Sequence, residues 1–183
     1  MKMQKNSEGF TLVELIAVVV IAGILSAFVI SRFADLRDEA RIAALEGLAG
    51  TFNSTAATQH TIARVNQDAG GLNNGFIANG VLFDQGYPVA LDFDAPGSSF
   101  GSGDGVPEIL EAMDIDLDNW TFNTIINGSE NGLITRELYM TRSDVIATGA
   151  TAQQIINTGC YVSYDSYLTV VIAPVVRQVT TGC

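Results

Sequence analysis

The chain has 183 residues, of which 48% are apolar and only 16% charged, and its formal net charge is −11. That length suits one compact domain with an appendage and is short for two separate cores. The charge excludes ordinary nucleic-acid binding, because phosphate contacts need Lys and Arg. The low charged fraction calls for a membrane-compatible helix beside a polar head.

Taken in chain order, residues 1–9 are polar, with Lys2 and Lys5 against Glu8, and the apolar run begins only after Gly9, at Phe10. A secretory signal places its apolar core before the cleavage site, so that cutting discards it. Here the order is reversed: a cut after Gly9 removes the basic leader and keeps the apolar helix. It takes away Lys2, Lys5 and Glu8, leaving 7 basic and 19 acidic side chains and a net charge of −12. Between residues 10 and 31 the only charge is Glu14, and about 20 helical residues at 1.5 Å rise are enough to cross a hydrocarbon layer. A carboxylate in such a segment costs on the order of 3 kcal/mol at the bilayer centre and less near one end. Glu14, near one end, calls for a partner.

The helical pattern continues past the apolar run. Arg32, Asp35, Arg37, Asp38, Glu39 and Arg41 bring charge, while Phe33, Leu36, Ala40, Ala43, Gly47, Thr51, Ser54 and Thr58 keep a stripe at spacing 3 or 4. Leu45, Leu48 and Phe52 point away from that stripe. The helix therefore carries apolar residues on more than one side, more than packing against its own domain requires.

Residues 66–75, with Gly70-Gly71 and Asn73-Asn74-Gly75, read as the helix stop and a loop. Beyond them the pattern predicts strands at 80–83, 89–93, 120–126 and 133–139, and a short helix over 107–113 opened by Pro107. Residues 160–164 and 167–173, joined at Asp165-Ser166, form the clearest hairpin, with Pro174 ending it or marking an edge. In an exported chain the pair Cys160 and Cys183 reads as a disulfide in preference to two free thiols. Closing the loop between them contributes roughly 3 kcal/mol in the chain-entropy model.

Gly9 followed by Phe10-Thr11-Leu12-Val13-Glu14 resembles the prepilin signal of type IV pilins and of type II secretion pseudopilins. Within that class the likeness is to major pilins of the mannose-sensitive haemagglutinin (MSHA) type. It covers residues 9–63, including Arg32-Phe33 and Glu46-Gly47-Leu48-Ala49-Gly50. It returns at Gly86-Tyr87-Pro88, Asn119-Trp120-Thr121, Cys160-Tyr161-Val162 and Gly182-Cys183. The resemblance implies an α+β fold: a long N-terminal helix, its projecting half hydrophobic and its other half amphipathic, packed on a small antiparallel sheet. The implied organisation is a cleaved leader at 1–9, a hydrophobic transmembrane or filament-core helix at 10–33 and the amphipathic half at 34–65. A head at 66–159 and a disulfide-bounded end at 160–183 complete it.

The same resemblance implies cleavage between Gly9 and Phe10, N-methylation of Phe10 by a prepilin peptidase, and a register pair between Glu14 and the Phe10 amine of a neighbouring subunit. Gly23 falls where relatives carry a helix-weakening glycine, and Ser31 where many carry proline. The implied function is a structural subunit polymerising with itself into a pilus for adhesion or motility. Its implied partners are the peptidase, an inner-membrane platform and an assembly ATPase. The implied localisation is the inner membrane for the precursor and then an extracellular pilus on the surface of a Gram-negative cell. The alternatives are a type II secretion major pseudopilin and a membrane-anchored binding module that does not polymerise.

No enzyme chemistry, cofactor or metal is expected. Between Arg64 and Arg136 there is no Lys or Arg, against eleven acids; this reads as a solvated, self-repelling face. Asp114, Asp116 and Asp118 lack the glycine and glutamate that an EF-hand loop requires next. His60, the only histidine, has no nucleophile or carboxylate at a recognisable catalytic spacing and is read as surface or packing. Trp120 is read as core.

Overall fold

The computed structural model describes residues 10–65, 76–78, 81–92, 103–130, 133–167 and 172–183; at 28–35, 76–78, 82, 127–130, 133–135 and 167 it describes the backbone only. The elements are α1 (Leu12–Val65), β1 (Phe76–Ala78), β2 (Val81–Asp84), β3 (Tyr87–Pro88), α2 (Glu108–Met113), β4 (Trp120–Glu130), β5 (Leu133–Arg142), α3 (Ala152–Asn157), β6 (Tyr161–Tyr167) and β7 (Val175–Val179). The chain divides into two units, Met1–Ala40 and Arg41–Cys183, and the division falls inside α1. The architecture is α+β, a long N-terminal helix with antiparallel sheets.

In the first unit, residues 12–27 are exposed throughout and, Glu14 and Ser26 apart, apolar or small: Leu12, Val13, Leu15, Ile16, Val18, Val19, Val20, Ile21, Ile24 and Leu25 are each more than half exposed. Among the described residues no helix is long and apolar enough to cross a membrane. The side chains at 28–35, the far end of the expected span at 10–33, lie outside the description.

In the second unit, α1 buries Leu45, Leu48, Phe52, Ala56 and Ala63, a 3–4 spacing that forms one face. The expected stripe is not that face: Ala43, Gly47, Ser54 and Thr58 are exposed and Thr51 only half-buried. Burial is driven by apolar area, so the large side chains take the core and the small ones remain outside.

Among the described residues the strands form two antiparallel sheets, ordered β1-β2-β3 and β4-β5-β6-β7. Pairing Leu138 with Tyr164 and Met140 with Val162 puts four buried side chains on one face, and the Tyr164 ring stacks on Phe52 at 5.5 Å. The Tyr164 hydroxyl is buried and donates to the Pro88 carbonyl at 2.9 Å. Under the smaller sheet Ala63, Val81 and Phe83 form a second core.

Two expected elements differ. Residues 89–91 form no strand, although Val89, Ala90 and Leu91 are buried, and Phe93 lies outside the described residues. Their backbone is satisfied elsewhere: Ile109 and Glu108 donate to the carbonyls of Val89 and Leu91 at 3.1 and 3.2 Å, and the Ala90 N–H donates to Ser166 Oγ at 3.1 Å. An apolar run can thus be buried without a ladder, provided its polar groups find partners.

The expected turn at Asp165-Ser166 is also absent. β6 runs through both residues and pairs with β7, Tyr161 opposite Val179 and Asp165 opposite Val175. The turn signal fails because both side chains are used where they stand in the strand: Ser166 accepts from the Ala90 N–H outside the sheet and Asp165 pairs with Arg177 on β7 at 3.7 Å. Pro174 directly precedes β7, and residues 168–171 of the expected second strand lie outside the described residues. α3, unforeseen, carries a capping box from Thr151 to Gln154, a T-x-x-Q signature present in the sequence.

Candidate processing and assembly site

α1 starts where it does because of Thr11. Its hydroxyl accepts from the Glu14 N–H at 3.3 Å, while Glu14 Oε2 accepts from the Thr11 N–H at 3.0 Å and from the Thr11 hydroxyl at 2.8 Å. This reciprocal pattern is a capping box, which satisfies orphan donors at both ends of the first turn. The T-x-x-E spacing that encodes it stands in the sequence, so Thr11 was recoverable by that rule. The partner that Glu14 calls for is supplied, at least in part, by its own chain.

Phe10 lies outside the helix, 81% exposed, and Gly9 falls outside the described residues. Phe10 and Glu14 are brought to the same end of α1. Gly23 sits well inside the helix, and a Cβ there would meet nothing within 4 Å.

The other sequence-derived pair is joined: Cys160 and Cys183 form a disulfide with Cα atoms 4.7 Å apart. Arg41, not foreseen, sits beside it. Its guanidinium donates to the Cys183 carbonyl at 3.0 Å, to Asp144 Oδ2 at 3.1 Å and to the Asp144 carbonyl at 3.2 Å. Arg142 takes the other Asp144 oxygen at 3.4 Å and lies over the Trp120 ring. No sequence spacing connects residues 41, 144 and 183; only the fold does.

The remaining candidates serve local structure. Asp116 Oδ1 accepts from the Asp118 N–H, Asp92 Oδ2 from Gly105 and Asp104 Oδ1 from Val106, while Asp114 caps α2 in a left-handed conformation. Among the described residues no group of three or more His, Cys, Asp or Glu is placed to hold a metal ion. His60 stacks on Tyr87 at 4.2 Å, with Nδ1 2.9 Å from the Gly86 carbonyl. Trp120 is partly buried against the main core.

A family model described as the prokaryotic N-terminal methylation motif matches residues 4–30. The chain carries a prepilin-type N-terminus. That signal supports a protein of the pilin or pseudopilin type, which is structural and not enzymatic, and implies processing by a prepilin peptidase and assembly into pili in general. It points to a membrane-held precursor. No curated protein and no solved structure matches the chain.

Proposed function

We propose that the chain is a major pilin of the MSHA type, cut between Gly9 and Phe10, N-methylated at Phe10, and polymerised with copies of itself into an adhesive or motility pilus on a Gram-negative cell. The observation that carries this reading is the prepilin-type match at residues 4–30, within which the helix from residue 12 to 27 is exposed and, Glu14 and Ser26 apart, apolar or small. A contiguous apolar surface of that extent has to be covered. Lipid covers it before assembly, through a span at 10–33, and neighbouring helices cover it in the filament.

Glu14 acts as the register residue. Its Oε2 is committed to Thr11, and its charge is met in the filament by the Phe10 ammonium of an adjacent subunit, since an unpaired carboxylate in an apolar environment is costly. Gly23 is the weak point of the helix, at about 1 kcal/mol relative to alanine. A platform protein and an assembly ATPase supply the extraction work. The disulfide joining Cys160 and Cys183 favours a pilin over a pseudopilin, because it resembles the stapled C-terminal region of pilin heads.

Sheared surface fibres examined by negative-stain microscopy and mass spectrometry test the reading. Fibres whose subunit begins at methylated Phe10 support it. A processed protein that stays in the membrane fraction and forms no surface fibre overturns it.

A further inference from the structure

We propose that the disulfide is made in a fixed order on a head that has already folded: an external disulfide oxidant engages Cys183 first, and Cys160 resolves the mixed disulfide.

The two cysteines differ in access. Cys160 is fully buried in the main core, its N–H donating to Thr158 Oγ1 at 3.1 Å and its carbonyl accepting from the Thr141 hydroxyl. Cys183 packs against the edge of that core but is only partly buried, and it follows the exposed pair Thr181 and Gly182. An oxidant reaches the less buried of two cysteines more readily, whereas a thiol fully enclosed in an apolar core is shielded and ionises reluctantly.

The contacts that hold Cys183 beside Cys160 do not involve sulfur, so breaking the S–S bond removes none of them directly, and the proposed order requires that they hold in the reduced chain. The Gly182 N–H donates to the Gly159 carbonyl at 2.9 Å. Arg41 donates to the Cys183 carbonyl at 3.0 Å, and β7 pairs with β6 up to Val179. The seat is tight: a Cβ at Gly182 would lie 1.9 Å from the Thr158 carbonyl oxygen, and Gly159 has φ +65°. The second step is intramolecular because both cysteines lie on one chain, and seating accelerates it by raising the effective concentration of one thiol at the other. Arg41 is a positioning residue for that step.

The chemistry balances. The Cys183 thiolate attacks one sulfur of the oxidant's disulfide, forming a mixed disulfide and releasing the first oxidant thiolate. Cys160 then gives up its proton, which passes through solvent to a released oxidant thiolate, and its sulfur attacks the Cys183 sulfur; the protein S–S bond forms and the second oxidant thiolate leaves and is protonated. Two protein thiols are oxidised and one oxidant disulfide is reduced to two thiols.

The test uses the full chain in detergent, reduced and then exposed to glutathione disulfide, with acid quenching at intervals. Residues 10–183 contain no lysine, so cleavage after Arg142 and Arg177 puts Cys160 and Cys183 on separate peptides. Early glutathione should sit on Cys183 in at least about tenfold excess over Cys160, and the excess should vanish in denaturant. Cys160→Ser should trap the Cys183 adduct, and Arg41→Gln should leave the site of attack unchanged while slowing closure severalfold. Equal or preferential labelling of Cys160 in native buffer overturns the order. A preference that survives denaturant overturns the role of the fold, and unchanged closure in Arg41→Gln overturns the role of Arg41. The wild-type quench needs no variant, so a substitution that fails to fold does not blunt the test.

Discussion

Thr11 and Glu14 bond each other in both directions across the first turn of α1, the Thr11 N–H and hydroxyl giving to one carboxylate oxygen and the Glu14 N–H to the hydroxyl. Glu14 thus carries a local task within its own chain in addition to the proposed register task between chains. The two can be separated because glutamine also completes a capping box.

Glu14→Gln should keep slowed hydrogen exchange at the first turn of α1 yet abolish pili, because the amide caps but carries no charge. Glu14→Ala should be processed and remain in the inner membrane, also without pili. Thr11→Ala should weaken the helix start by about 1 kcal/mol, read as faster exchange at residues 12–15. Normal piliation in Glu14→Gln would refute the charge pair.

Gly182→Ala should lower head stability by roughly 1–3 kcal/mol, as overpacking against backbone does, because its Cβ would fall 1.9 Å from the Thr158 carbonyl oxygen. Denaturant melts of the oxidised protein check this. A midpoint equal to wild type would show that residues 180–183 yield at no cost.

Phe52→Ala should cost about 3–5 kcal/mol as a large core deletion. Tyr164→Phe keeps the stack on Phe52 but leaves the Pro88 carbonyl without its donor, at about 1–3 kcal/mol. The difference between the two melts separates packing from hydrogen bonding.

Two aspartates give opposite pH slopes. Burial pulls the Asp144 carboxyl up, but the bonds from Arg41 and Arg142 outweigh it and hold the group below its usual range. Its stabilisation is therefore complete above about pH 4 and is lost as pH falls through the lower folded value. Burial lifts Asp84 above its usual range, only partly offset by Arg136, whose own guanidinium is brought down to about 10 by the same burial. Asp84 therefore costs stability as pH rises from about 4 through its raised folded value. Asp144→Asn should flatten the acid loss in melting curves, and Asp84→Asn should remove an acid gain. Parallel curves for wild type and either variant would contradict that variant's assignment.

Much of the fold was legible because periodicity reports local geometry. α1, α2, β2, β4 and β5 fall on stretches marked by apolar patterning, Pro107 or β-branched residues. The buried face of α1 was not legible from spacing: the small stripe through Gly47 and Ser54 and the large set Leu45, Leu48 and Phe52 both keep helical spacing, and it is apolar area that favours the large set. Asp165-Ser166 misread as a turn for a related reason, since turn residues also suit a strand when Arg177 and Ala90 use their side chains.

By itself the sequence determined the prepilin-type N-terminus, the apolar helix after it, the acid at Glu14 and the helical and strand periods, because each depends on residues close together in the chain. Only the tertiary structure decided that β6 pairs with β7 beyond Pro174 and that Arg41 reaches Asp144 and Cys183. Those outcomes depend on which distant groups supply area, donors and charge once the chain is packed, and no short window of sequence holds that information.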